Sequence, residues 1–127
     1  MNLDELKKQA KEDLAITEHE NMDQESYKNQ LIKPKWLEYK TNYEQLLIMR
    51  KTDHQKMWRE KWEYYGGKAD AKVYAAKPFD IKVMKTDLQM YIQSDDDILR
   101  IQNKIGYFES CVDYCKGVIK SLSLIHI

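Results

Sequence analysis

The stretch that decides the fold is residues 98–122, which read ILRIQNKIGYFESCVDYCKGVIKSL. Apolar side chains recur there at intervals of three and four without a break: Ile98, Ile101, Ile105, Phe108, Val112, Cys115, Ile119 and Leu122. This heptad seam is typical of a long helix packed along a neighbour. A second apolar row flanks it: Tyr107, Cys111, Tyr114 and Val118. Because one short chain offers few partners for two apolar faces, we expect this helix, and the seam from Ile98 to Ile119 in particular, to be buried between subunits.

The start of this helix is marked by polar residues. Ser94 and Asp97 have the spacing of a capping box, and Asp95 to Asp97 lie where the helix dipole favours anions. Three successive aspartates could also form a metal site. The cap accounts for them without one, so we predict no metal.

The remaining chain predicts more helix. Four glycines and two prolines in 127 residues leave few turns, so we expect a mainly α, small single domain of one long and several shorter helices. The predicted helices span about residues 3–16, 23–32, 35–65 and 78–93, with Asp23 as a cap and a kink or break at Pro34. Gly66 and Gly67 should end the long helix. A strand over residues 79–83 is the alternative for that segment.

Charge divides the chain, although its formal net charge is zero. Residues 1–30 carry four lysines against eight acidic side chains and form an acidic arm. Residues 50–77 reverse the balance, with eight Lys or Arg against four Asp or Glu. Within residues 35–77 we therefore predict a basic-aromatic helix and loop that binds a polyanion, followed by an oligomerisation helix over residues 94–127.

The centre of the basic part, residues 57–68, reads MWREKWEYYGGK and interleaves cations with large aromatic rings. Cations neutralise phosphates, and rings offer faces on which unpaired bases stack. This pattern indicates single-stranded DNA binding, with residues 68–77 as an exposed, mobile loop beside it. The alternative is an aromatic stripe that is simply core; we expect that role for Trp62 and leave Trp58 open. The candidate contacts are Lys51, Lys56, Trp58, Arg59, Lys61, Tyr64, Lys68 and Lys72.

Other classes of protein find little support. The sequence has no apolar run of membrane-spanning length and no signal peptide, so we expect an intracellular protein that is not secreted. Cys111 and Cys115 lack partners with zinc-ligand spacing and are interpreted as reduced structural residues. The three histidines have no nearby Ser or Cys suited to a triad, and no phosphate-binding glycine loop is present. We predict neither an enzyme nor a bound cofactor.

Four features occur in order along the chain: Lys35-Trp36-Leu37, the basic-aromatic run ending at Tyr64-Tyr65 before a Gly- and Lys-rich loop, Met84-Lys85-Thr86, and Tyr114-Cys115 in the last helix. Through these features the chain, from about Trp36 to Lys120, resembles the UvsY family of phage recombination mediators. It implies a ring-like homo-oligomer held by terminal helices. Two family cations implicated in single-stranded DNA binding match Arg59 and Lys61, whereas Trp58 and Trp62 stand where aliphatic residues are commoner.

The resemblance further implies a mediator that loads a phage recombinase onto single-stranded DNA covered by helix-destabilising protein, in the cytoplasm of an infected bacterium. A structural helical oligomerisation module without DNA binding is the alternative. The family's last helix continues beyond this chain, whose final residues 122–127 read LSLIHI. One reading frame of a common transposase sequencing adapter encodes the same six residues. We therefore expect the natural C-terminus to be missing and this hexapeptide to be foreign.

Overall fold

A computed structural model describes residues 1–15 and 22–124. It contains five helices in this part of the chain: α1 (Leu3–Ala15), α2 (Met22–Tyr65), α3 (Ala71–Ala76), α4 (Leu88–Gln93) and α5 (Asp96–Leu124). No strand occurs in the described ranges, which confirms the mainly helical prediction and excludes the strand alternative for residues 79–83. Residues 16–21, where the first predicted helix ends and before the second predicted helix begins, and the last three residues of the terminal hexapeptide lie outside the described residues.

The predicted break at Pro34 is wrong, because α2 runs through it for 44 residues and already includes Asp23. A proline inside a helix removes one hydrogen bond and crowds the preceding turn, at a cost of about 3 kcal/mol. Contacts beside the proline offset that cost. The Trp36 side chain is fully buried and its Nε1 donates a hydrogen bond of 2.9 Å to Asp13, while Lys35 lies 2.7 Å from the same carboxylate.

Two compact units make up the fold. The first comprises residues 1–47 and 107–127, and its core joins α1, the first part of α2 and the second part of α5. Asn2 caps α1 by accepting the Glu5 N–H at 2.8 Å, and α1 buries Leu6 and Ala10 in the core. The fully buried members of this core that belong to α5 are Cys111, Cys115 and Leu122.

The packing of α5 against α1 and α2 removes the reason for which we predicted that α5 is buried between subunits. Val112, Cys115 and the flanking Cys111 and Val118 are covered by helices of the same chain. Phe108 and Ile119 are partly buried against the same core. The sequence argument assumed that one short chain could not cover two apolar faces, but α1 and α2 together do so. Both cysteines are free and buried.

The second unit comprises residues 48–106. Its core contains Leu88, Ile92 and Ile98, with Met57, Trp58, Tyr65 and Val83 packed against them. The seam residue Ile101 is also buried. Ile105 is half-buried and belongs to neither core.

Gly66 and Gly67 end α2 as predicted. The Lys68 N–H donates to the Glu63 carbonyl at 2.8 Å, and Gly67 adopts a φ of 76°, which glycine reaches without strain. A side chain at Gly66 would place its Cβ 2.8 Å from the Trp62 carbonyl oxygen. Both glycines are therefore required by this turn.

Two predictions after the turn need correction. Residues 68–77 are not entirely loop, because they contain the short helix α3, whose Tyr74 hydroxyl donates 2.8 Å to the Tyr64 carbonyl. The helix predicted from Pro78 begins only at Leu88, although it ends at Gln93 as expected. In the irregular segment Phe79 packs its ring against Tyr64, Tyr65 and Tyr91. Tertiary ring contacts thus replace helical hydrogen bonds there.

The cap of α5 is shifted by one residue from the predicted Ser94. Asp95 Oδ1 accepts the N–H groups of Asp97 at 2.9 Å and Ile98 at 3.4 Å, as an N-cap residue does. Ser94 instead donates its hydroxyl to the Met90 carbonyl at the end of α4. The Asp95 side chain thus serves as the cap, while Ser94 belongs to the preceding turn.

Candidate nucleic-acid interface

The C-terminal part of α2 presents cations of two kinds. Arg59 has the more open side chain, with 83% of its surface exposed and one contact of 3.4 Å to Glu63 in the next turn. Lys51 and Lys56 are also exposed. Surface pairs such as Arg59 with Glu63 contribute little to stability, so Arg59 can exchange Glu63 for a phosphate at small cost.

Lys61, also a candidate contact, differs from Arg59 because it is mostly buried. Its side chain is only 17% exposed, and its Nζ lies 2.8 Å from Asp97 and 3.4 Å from Asp95. Burial opposes the charge of Lys61, but the hydrogen bond to Asp97 and the charges of both aspartates raise its pKa. The carboxylates at the start of α5 therefore already neutralise Lys61.

The same cluster holds Tyr65. Its hydroxyl donates a hydrogen bond of 2.5 Å to Asp95 Oδ2, and burial followed by this bond raises the pKa of the phenol. Burial acts to raise the pKa of Asp95, but the Tyr65 bond and the Lys61 charge outweigh it and lower the pKa. The hydrogen bond from Lys61 lowers the pKa of Asp97. This polar cluster joins the end of α2 to the start of α5.

The two tryptophans differ in exposure, and the core role expected for Trp62 is wrong. Trp62, expected in the core, has 42% of its surface exposed, and Lys68 Nζ lies 4.7 Å from its ring centre. Trp58 is half-buried and packs against the core of the second unit, with His54 beside its ring. Trp62 was absent from the predicted contacts. Its position four residues before a double glycine, in the last turn of a helix, was the signal that could have identified it.

Tyr64 and Lys72 complete the predicted contacts. Tyr64 is half-buried, its ring stacks on Tyr74 with centres 5.5 Å apart, and its hydroxyl donates to the Lys77 carbonyl. One face of that ring is therefore occupied. Lys72 is exposed on α3. The structure brings Trp62 and Lys68 together, leaves Arg59 open on α2 and commits Lys61 to the polar cluster.

Neither a metal centre nor a membrane segment emerges from the described ranges. Within residues 1–15 and 22–124 there is no group of three potential metal ligands among His, Cys, Asp and Glu. In the same ranges no helix is long and apolar enough to cross a membrane. Asp95 and Asp97, considered above as potential ligands, instead contact Lys61 and the backbone of α5.

Comparison with known proteins identifies the family. Solved structures similar to this chain include crystal forms of the recombination mediator protein UvsY of bacteriophage T4. One is 18% identical with a TM-score of 0.79, covering 99% of this chain and 88% of that chain. Another is 17% identical with a TM-score of 0.80, covering 99% and 90%. These TM-scores establish a shared fold. No curated protein matches. A family model described as "Recombination, repair and ssDNA binding protein UvsY" matches residues 9–125, so the chain belongs to the UvsY family.

Proposed function

We propose that this chain is a non-enzymatic recombination mediator that binds single-stranded DNA. In this proposal it acts in the cytoplasm of a phage-infected bacterium and helps a phage recombinase load onto DNA covered by helix-destabilising protein. The observation that carries DNA binding is the exposed set at the end of α2: Arg59, Trp62 and Lys68. Cations for phosphates beside a ring for stacking form a sequence-tolerant site. The loading role is supported by family membership.

A chain with no net charge has little long-range attraction for DNA, so several copies should act together. We propose a ring-like homo-oligomer. The exposed apolar side chains Ile48 and Met49 on α2 and the half-buried Ile105 on α5 are consistent with contacts between copies. Linking weak sites in one assembly raises avidity without any new contact at each site.

The test of DNA binding is a titration of a fluorescein-labelled poly-thymidine strand, followed by anisotropy at several salt concentrations. We expect binding that weakens steeply with salt, because phosphate contacts release counterions. Binding that is absent at low salt would favour the alternative, a structural oligomerisation module. Sedimentation with and without the strand reports assembly in the same samples.

The loading step needs its own experiment. DNA-dependent ATP hydrolysis by a phage recombinase is measured on strand already covered by helix-destabilising protein. Adding the chain should restore hydrolysis that the coating suppresses. If hydrolysis stays suppressed while the chain binds bare strand, the loading role is wrong and DNA binding stands.

A further inference from the structure

A second group of cations lies in the second unit, in a groove between α2 and α5. The groove has a volume of about 450 Å³, and its lining includes Lys56 from α2 together with Arg100 and Lys104 from α5. This volume lies within the range of about 300–1,000 Å³ that is usual for small-molecule sites. Arg100 and Lys104 stand one helical turn apart, so they share a face of α5.

The groove combines the two kinds of surface that a nucleic-acid strand requires. Met57 and Ile101 also line it, half-buried and buried respectively, and supply apolar surface beside the cations. Lys56 borders it on one helix, and Arg100 and Lys104 border it on the other, all three exposed. Exposed cations can follow phosphates while the apolar surface contacts sugars or bases.

The charge balance of the groove favours an anion. Asp97 contacts Arg100 at 3.4 Å and Lys61 at 2.8 Å, so its charge is already shared by two cations. In the described part of the chain, no carboxylate lies within 4.0 Å of the amino groups of Lys56 or Lys104. These two lysines can gain an anionic partner without losing an existing ion pair. Two further carboxylates line the groove: Asp53 pairs with Arg50 at 3.5 Å, and Glu60 opposes this balance.

We propose that this groove is a second contact site for the backbone of single-stranded DNA, with Lys56, Arg100 and Lys104 as its phosphate contacts. The inference rests on the proposed function, because it assumes that the chain binds single-stranded DNA. It extends that function by adding α5 to a surface that the sequence assigned to α2 and the following loop. A strand held there contacts two helices instead of one.

The experiment compares two double variants of the full chain. Arg100→Gln with Lys104→Gln removes the α5 cations of the groove. Lys116→Gln with Lys120→Gln is the matched control, because it removes two exposed cations at the same spacing on the same helix that do not line the groove. Each variant is titrated with labelled poly-thymidine over a series of salt concentrations. Circular dichroism at each condition reports folding.

We expect the groove variant to bind more weakly and to lose about 1.4 from the slope of log K against log salt, since each single-strand phosphate contact contributes about 0.7. The control should keep the wild-type slope. The charge-preserving variant Arg100→Lys with Lys104→Arg should recover most of the slope. If the groove variant does not fold, Lys104→Gln alone should show about half the shift, because Lys104 forms no ion pair with the residues that the structure describes.

Three results would overturn the inference. A groove variant with wild-type affinity and slope, measured beside a wild type that binds, would exclude the groove and leave the proposed function intact. Equal losses in the groove variant and its control would show that only total charge matters. A wild type that does not bind poly-thymidine would remove the proposed function and this inference together.

Discussion

Arg59 and Lys61 carry the same charge two positions apart, yet they have different roles in this molecule. Two residues advance an α-helix by about 200°, so they lie on nearly opposite faces. Arg59 accordingly faces outward, and Lys61 meets the aspartates of α5. Helix geometry alone could have separated them. The identity of the buried residue depends on Asp95 and Asp97, 30 and more positions away, which no local pattern reveals.

The first prediction concerns these two cations. Arg59→Ala should weaken single-stranded DNA binding and reduce the salt slope by about 0.7, with an unchanged melting temperature. Lys61→Ala should instead lower the free energy of unfolding by roughly 1.5–3 kcal/mol, because it removes hydrogen bonds to charged groups. Anisotropy and thermal melting measure both variants. A Lys61→Ala protein with unchanged stability and weakened DNA binding would show that Lys61 contacts DNA.

A second prediction separates the tryptophans. Trp62→Ala should cost about 1–3 kcal/mol of DNA affinity and little stability, because the exposed ring can stack on a base. Trp58→Ala should cost up to about 3 kcal/mol of stability, since its half-buried ring packs on Leu88, Ile92 and Ile98. Urea unfolding and anisotropy distinguish the outcomes. Unchanged affinity in Trp62→Ala would exclude stacking at that ring.

At the scale of elements, the sequence predicted helices better than their ends. The apolar spacing predicted α1 and α5, although the cap of α5 is shifted by one residue, and the glycine pair placed the end of α2 correctly. The break predicted at Pro34 is wrong because the tertiary contacts of Trp36 outweigh the local effect of the proline. The helix predicted from Pro78 starts too early. The apolar spacing there suits a helix, but the ring of Phe79 packs on three tyrosines instead.

The contact between the ends of α2 and α5 makes stability depend on pH. The folded pKa values of Asp95 and Asp97 lie below 3.8, so their stabilisation is present above about pH 4 and is lost as pH falls through the folded values. The folded pKa of Lys61 lies above 10.5, so its contribution is present below that pH and is lost as pH rises further. The ion pairs therefore stabilise the fold between about pH 4 and pH 10.

We expect the melting temperature of the wild type to fall between pH 5 and pH 3, and to fall less in Asp97→Asn. Asp113→Asn is the control, because Asp113 is exposed on the same helix. Circular dichroism melts at pH 3, 4, 5 and 7 provide the comparison. Parallel pH curves for Asp97→Asn and the wild type would show that Asp97 does not supply this dependence.

At the scale of the whole molecule, the chain folds as two compact units, each with its own core. The sequence could not show which apolar rows are covered by the same chain. A helical apolar pattern indicates that a face is buried, but it does not indicate what covers that face. Val112 and Cys115 illustrate this point, since α1 and α2 cover them. Ile105 belongs to neither core, and it is the seam residue for which we propose a contact with another copy.

The prediction at this scale replaces seam residues one at a time. Ile105→Asp should reduce assembly, because it would bury an unpaired charge between copies, while helix content is retained. Val112→Asp should unfold the first unit, since Val112 is only 5% exposed within its core. Light scattering gives the mass, and circular dichroism gives the helix content. An Ile105→Asp protein that keeps wild-type mass would place the contact between copies elsewhere.

The two buried cysteines also provide a natural probe of local opening. Burial raises the pKa of both thiols, that of Cys115 to about 11, so few thiolates exist at neutral pH and reagents cannot reach them in the closed state. Both belong to the first unit. Alkylation must wait for that unit to open, so its rate reports the opening rate when the reagent reacts faster than the unit recloses. Alkylation of these two natural thiols therefore reports the opening of the first unit without any engineered label.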